Sequence, residues 1–130
     1  MTILTQLVIS PPFSIMEIDL VWDADWDDAF RIIENDGSAV DLTDMTLEWY
    51  ARPNFQHSTL LVKLNTGGSV GQRIVIDSAP EGFAYFNLSR ANVQTLFIPG
   101  DWEQFLLLKE DTTYDEIWRG PLRVHPGRTT

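Results

Sequence analysis

A chain of 130 residues fits one domain, long enough to bury a core without metal or disulfide staples. Its 19 Asp and Glu against 9 Lys and Arg give a net charge of −10, which excludes a reader of phosphate backbones but leaves docking onto a basic protein surface open. The absence of Cys excludes a thiol nucleophile and a thiolate metal site, and fits assembly in a cytoplasm. With 44% hydrophobic residues the chain is no disordered tail. No apolar run is long enough for a bilayer, and the start Met1-Thr-Ile-Leu-Thr lacks the basic flank of a secretory signal, so neither membrane nor export is expected.

Residues 1–12 read as an N-terminal arm or edge strand, with Leu4, Leu7 and Ile9 as its apolar residues and Pro11-Pro12 as a stiff joint. Residues 13–130 read as a single β-sandwich domain. From Phe13 to Trp22 the pattern alternates, with Ser14, Met16, Ile18, Leu20 and Trp22 facing the core. Asp28 to Glu34 is its expected partner, Phe30 and Ile32 on one side and Ala29, Arg31 and Ile33 on the other.

Asn35-Asp-Gly-Ser38 predicts a tight hairpin turn leading into a strand from Val40 to Arg52, in which Met45, Leu47, Trp49 and Ala51 point inward and Pro53 ends the run. Leu60 to Leu64 predicts another strand, stopped by a second hairpin turn at Asn65-Thr-Gly-Gly-Ser69. Arg73 to Asp77 and Gly82 to Leu88 predict two more, joined by Ser78-Ala-Pro-Glu-Gly82. One short helix is expected from an N-cap at Ser89 through Leu96, with Val93, Leu96 and Phe97 as its buried stripe and Pro99-Gly100 as its stop. Two terminal strands close the chain around a polar turn at Lys109 to Asp115. The first carries Trp102, Phe105 and Leu107, the second Ile117, Trp118, Leu122 and Val124. Seven or eight short strands punctuated by turns predict an all-β, antiparallel sandwich or barrel.

Chemistry-bearing clusters are few. Asp23, Asp25, Asp27 and Glu34 overlap the ligand spacing of a calcium loop, in which hard oxygens alternate along a tight turn. Asp28 stands where that loop needs Gly, and Phe30, Ile32 and Ile33 make the following stretch a strand, so a solvated acidic turn is the stronger reading. A pair of catalytic carboxylates needs an acid set in an apolar stretch; Asp19 comes nearest, and alternation turns it outward. His57 and His125 stand in polar loops without the partners of a zinc site. Thr66-Gly-Gly-Ser69 lacks the Lys of a phosphate loop. Hence no catalytic residue, cofactor or firm metal site is assigned. Of the 5 Trp, Trp22, Trp49 and Trp102 are in phase with the core, whereas Trp26 and Trp118 are expected at protein contacts, where Trp is enriched.

The order of Asp25-Trp26-Asp-Asp-Ala-Phe30, Val40-Asp-Leu-Thr-Asp44, Leu60-Leu61, the segment Leu88-Ser89 to Leu96 before Pro99-Gly100, and Trp118-Arg-Gly-Pro-Leu-Arg-Val124 with Arg128-Thr129 resembles small structural proteins of tailed bacteriophages. The likeness is to the immunoglobulin-like N-terminal modules of upper baseplate proteins, and it covers residues 14 to 130. The chain departs from that pattern at Asp44, where Gly is usual, and at Gly100-Asp-Trp102, where Gly-x-Tyr is usual; turn and aromatic character survive both changes. The long receptor-binding or coiled-coil extension of larger members is not seen, so host adhesion is not expected.

The resemblance implies an immunoglobulin-like β-sandwich of seven to eight strands with one short helix. It also implies a non-enzymatic component of a virion tail, baseplate or head-tail junction, assembled in the host bacterial cytoplasm. Its partners would be itself, as a homo-oligomer, and other virion proteins, with no nucleic acid and no membrane. Leu4, Leu7, Ile9, Trp26, Trp118, Arg119 and Arg123 would form the contacts, the arm either pairing onto a neighbour's sheet edge or serving as an ordinary first strand. The rival reading is a module that binds carbohydrate or calcium through the acidic turn.

Overall fold

Stretches of alternating apolarity, too short for stable helices, pack as two facing sheets in the computed structural model, which describes residues 3–8, 14–34, 36–54 and 61–127. In chain order these residues form β1 (Ile3–Val8), β2 (Ser14–Ile15), β3 (Ile18–Val21), β4 (Ala29–Ile33), β5 (Thr46–Pro53), β6 (Val62–Asn65), β7 (Gln72–Ser78), β8 (Phe83–Leu88), α1 (Arg90–Leu96), β9 (Gly100–Glu110) and β10 (Thr113–His125). One sheet has the order β1-β4-β8-β7. The other runs β2-β10-β9-β5-β6, with β3 also on β10.

The all-β sandwich with one helix is as expected, but its pairing is not purely antiparallel. β1 lies parallel to β4, and β2 and β3 lie parallel to β10. The expected hairpin of residues 13–22 with 28–34 does not form, because β3 and β4 belong to opposite sheets. The Asp36-Gly37 turn does form: Ser38 donates its N–H and its hydroxyl to Asp36 Oδ1 at 2.9 and 2.6 Å, and Gly37 takes φ +87°. It joins only Ile33 to Ala39, after which the chain buries Leu42 and crosses to the other sheet, so the next strand starts at Thr46 rather than Val40. The Gly67-Gly68 turn likewise leads from β6 into β7 of the opposite sheet and is no hairpin. β7 with β8 and β9 with β10 are antiparallel hairpins, as expected.

α1 forms as predicted. The Ser89 hydroxyl accepts from Asn92 N at 3.3 Å, and Asp25 Oδ1 accepts the Arg90 N–H at 2.6 Å, which satisfies two of the free donors of the first turn. At the other end Trp22 Nε1 donates to Phe97 O at 2.9 Å and Trp102 Nε1 to Ile98 O at 3.0 Å. Val93 and Phe97 are buried, so the helix closes one end of the sandwich.

An aromatic cluster fills the interior. Trp26 stacks on Phe86 with ring centroids 3.9 Å apart, Phe30 meets the edge of Trp118 at 5.0 Å, and Trp49 contacts both Trp26 and Phe86. Within β9 the inward residues are Trp102, Gln104, Leu106 and Leu108, and Phe105 and Leu107, which alternate with them, face out. Gln104 is 1% exposed and joins three partners. Its Oε1 accepts from Trp49 Nε1 at 2.8 Å and Trp118 Nε1 at 2.5 Å, while its Nε2 donates to Met16 O at 3.0 Å. Two indoles can only donate, which fixes the amide orientation.

Met16 comes this close because Gly120 leaves room: a Cβ there would lie 2.1 Å from the Met16 carbonyl oxygen. Pro121, which has no N–H to give, falls in the interval of β10 between the residues paired with β2 and those paired with β3.

Candidate assembly surfaces

Trp26 and Trp118 are not surface anchors. They are 4% and 0% exposed and belong to the aromatic core. Trp26 is drawn inward because the turn after β3 crosses between the sheets and bonds Trp26 to Leu88 main chain to main chain, N to O at 2.8 Å and O to N at 3.1 Å. A bulge between Glu116 and Trp118 lets Ile117 and Trp118 both face inward. Trp118 shares its parity with Leu122 and Val124, and that signal in the sequence places it inside.

The acidic turn serves structure. Asp25 caps α1, the Asp23 carbonyl accepts Arg90 Nε at 2.9 Å, and Asp28 Oδ2 accepts Trp26 Nε1 at 3.1 Å. Burial raises the Asp28 carboxyl above its ordinary range, an effect the Trp26 hydrogen bond partly opposes. Asp23, Asp25, Asp27 and Glu34 are not gathered around a common point, and among the described residues no group of three or more acids or histidines is placed to hold an ion.

Arg119 and Arg123 lie on the outer face of the six-stranded sheet. Arg119 makes a two-toothed contact with Glu116, Nε to Oε1 at 2.6 Å and Nη2 to Oε2 at 2.9 Å, and Arg123 Nε reaches Asp101 at 3.1 Å. His125 Nε2 lies 2.9 Å from Asp19 Oδ1 on the neighbouring strand. In one register row Lys63, Tyr50, Phe105 and Arg119 stand side by side, and the Tyr50 and Phe105 rings stack at 5.1 Å. Tyr50 donates its hydroxyl to Glu48 at 2.5 Å; burial first, then this carboxylate, pushes the phenol up. Arg52, Glu103, Phe105, Arg119 and Pro121 line a shallow recess of about 450 Å³ on this face.

The arm residues Leu4 and Leu7 lie in β1, at the edge of the four-stranded sheet; Leu7 pairs with Ile32 of the same chain, and Leu4 falls in the register shift between Ile3 and Gln6. Ile9, the Pro11-Pro12 joint and His57 lie outside the described residues. Among the described residues no helix is long and apolar enough to cross a membrane.

No protein family matches the sequence, and no curated protein does. The fold does have a counterpart. The solved N-terminal domain of phage TP901-1 ORF48 superposes with a TM-score of 0.57 at 15% identity, covering 96% of this chain and 99% of that one. The likeness extends over the whole sandwich, and at this identity it establishes a shared fold, that of a phage-protein domain.

Proposed function

We propose that this chain is a non-enzymatic structural component of a bacteriophage virion, placed in the tail, baseplate or head-tail junction and built in through protein-protein interfaces. The observation that carries the reading is the end-to-end fold likeness to a domain of a phage protein. The resemblance of the ordered motifs from Asp25-Trp26 to Trp118-Arg-Gly-Pro-Leu-Arg-Val124 to small structural proteins of tailed bacteriophages points the same way. The interior supports it too. Every Trp, and the buried amide of Gln104, is engaged in packing and internal hydrogen bonds, so the chemistry left for partners is that of the outer faces and edges.

In this role the chain assembles with copies of itself and with other virion proteins in the host cytoplasm. Quantitative mass spectrometry of purified particles from cells producing the phage tests the proposal. Recovery of the chain in a fixed ratio to the major tail protein is the expected result. Abundant chain in the cell extract with none in the particles overturns it.

A further inference from the structure

The two outer faces of the sandwich differ in chemistry. Ion pairs lace the six-stranded face, Arg119 with Glu116, Arg123 with Asp101, Lys63 with Glu48 and His125 with Asp19, and such a surface is satisfied by water. The outward positions of β4, β7 and β8 on the other sheet carry Ile33, Val75, Phe83 and Tyr85 together with Arg31 and Arg73. Tyr85 stands between Ala29 and Val75 in one cross-strand row, and Arg31 is paired with Phe83 in the next. Asp77, at the far end of β7, is the single acid in the four strands of this sheet, in a chain with 19.

The arginines there are bonded to neutral groups. Arg31 lies over the Phe83 ring at 5.0 Å and donates its Nε hydrogen to Glu81 O, and Arg73 Nε donates to Asn87 Oδ1 at 3.1 Å. Among the described residues neither has a carboxylate within ion-pair distance. Aromatic residues and Arg with few acids are the composition of a protein contact.

The occupant follows from charge. Stacking this face on the same face of a copy would bring four arginines together with few acids between them. A head-to-tail contact avoids this, and the chain carries the complement. The β9–β10 hairpin runs beyond Lys109, the last residue paired with β5, and its tip from Glu110 to Asp115 is exposed throughout. That tip presents three carboxylates, Glu110, Asp111 and Asp115, beside Tyr114, which is 49% exposed.

We propose that the outer face of the four-stranded sheet receives the β9–β10 hairpin tip of a second copy. Arg31 and Arg73 meet the tip carboxylates, and Tyr114 packs on Val75, Phe83 and Tyr85. The inference rests on the assembly reading above and deepens it by naming the contact. Because two different patches meet, the contact either closes reciprocally as a pair or repeats into a ring or a filament.

Sedimentation of the purified full chain across a concentration series, at low and high salt, is the test. Wild type should associate with rising concentration, more weakly in high salt. The face variant Arg31→Glu/Arg73→Glu and the tip variant Glu110→Lys/Asp115→Lys should each associate at least tenfold more weakly. Mixed in equal amounts they should associate again, since each supplies the charge the other now lacks. The tip positions are exposed, so that variant keeps its fold, and circular dichroism checks both. A wild type that stays monomeric, association indifferent to both reversals, or a mixture that remains monomeric overturns this contact. The recovery of the chain in particles is measured separately, so loss of this contact leaves the virion role standing.

Discussion

Replacing Gln104 with Leu removes the one side chain that serves both indoles and the Met16 carbonyl. Trp49, Trp118 and Gln104 are all within 1% of full burial, so water does not take over these groups. Each unpaired buried group costs about 1–3 kcal/mol. Three such groups, less about 1–2 kcal/mol regained by burying an apolar side chain, leave a net loss centred on about 4.5 kcal/mol. For a domain of this size that lowers Tm by about 10–20 °C. Urea unfolding of Gln104→Leu, Trp118→Phe and the double variant measures it. Once Gln104 is gone, removing the Trp118 indole N–H removes an orphaned donor, so the two changes should couple by about 1–2 kcal/mol. A Gln104→Leu protein within about 1 kcal/mol of wild type, or a strictly additive cycle, would refute the hub.

Gly120→Ala should destabilise by about 3 kcal/mol or more, read from the same urea curves, because the added carbon meets main-chain atoms of Met16 rather than a yielding side-chain end. Ser89→Ala and Asp25→Ala should each cost about 1 kcal/mol, both through the first turn of α1. Asp28→Asn keeps an acceptor for Trp26 and removes a carboxyl whose folded pKa lies above its ordinary 3.8. That shift favours the folded state at low pH and is lost as pH rises through the folded pKa, so the variant should be at least as stable as wild type near pH 7 and lose that advantage below about pH 4. Calcium or a chelator should move the melting temperature by less than about 1 °C; a rise on adding calcium alone would return the acidic turn to the position of a ligand site.

Local patterns in the sequence carry the faces of the elements. Ser89 as a cap, Val93 and Phe97 one turn apart and Pro99-Gly100 as a stop define α1, because helix ends are set by neighbouring residues. The alternation of Leu47, Trp49 and Ala51 defines the inner side of β5 for the same reason. Strand partners are not local. β3 and β4 are adjacent in sequence and look like two arms of a hairpin, yet β3 joins β10 in parallel and β4 lies between β1 and β8. Alternation states which side of a strand is wet, and it is blind to the strand beside it. The clue to the parallel pairs was Gly120-Pro121 in the middle of a long strand, a place where one neighbour ends and another begins. In β9 Phe105 and Leu107 are as apolar as the buried set, and it is the two-residue period through Trp102, Leu106 and Leu108 that places Gln104 on the inner side.

Parity also decides where a contact surface is sought. Trp26 and Trp118 are of a residue type favoured at interfaces, but a large aromatic ring is favoured equally by a core, and there Trp26 packs against Phe86 and Trp118 against Phe30 and Phe86. Phe83 and Tyr85 alternate with Ala84 and Phe86 and look like unremarkable outward positions. Arg31 stands three residues before Glu34, and Arg73 four before Asp77, so along the chain each arginine has an acid close by. Only the sheet order brings Arg31 and Arg73 onto one face and leaves their neighbouring acids beyond ion-pair reach. An acid-depleted face is therefore a property of pairing, and the residues that define it become visible after the register of β4, β7 and β8 is known.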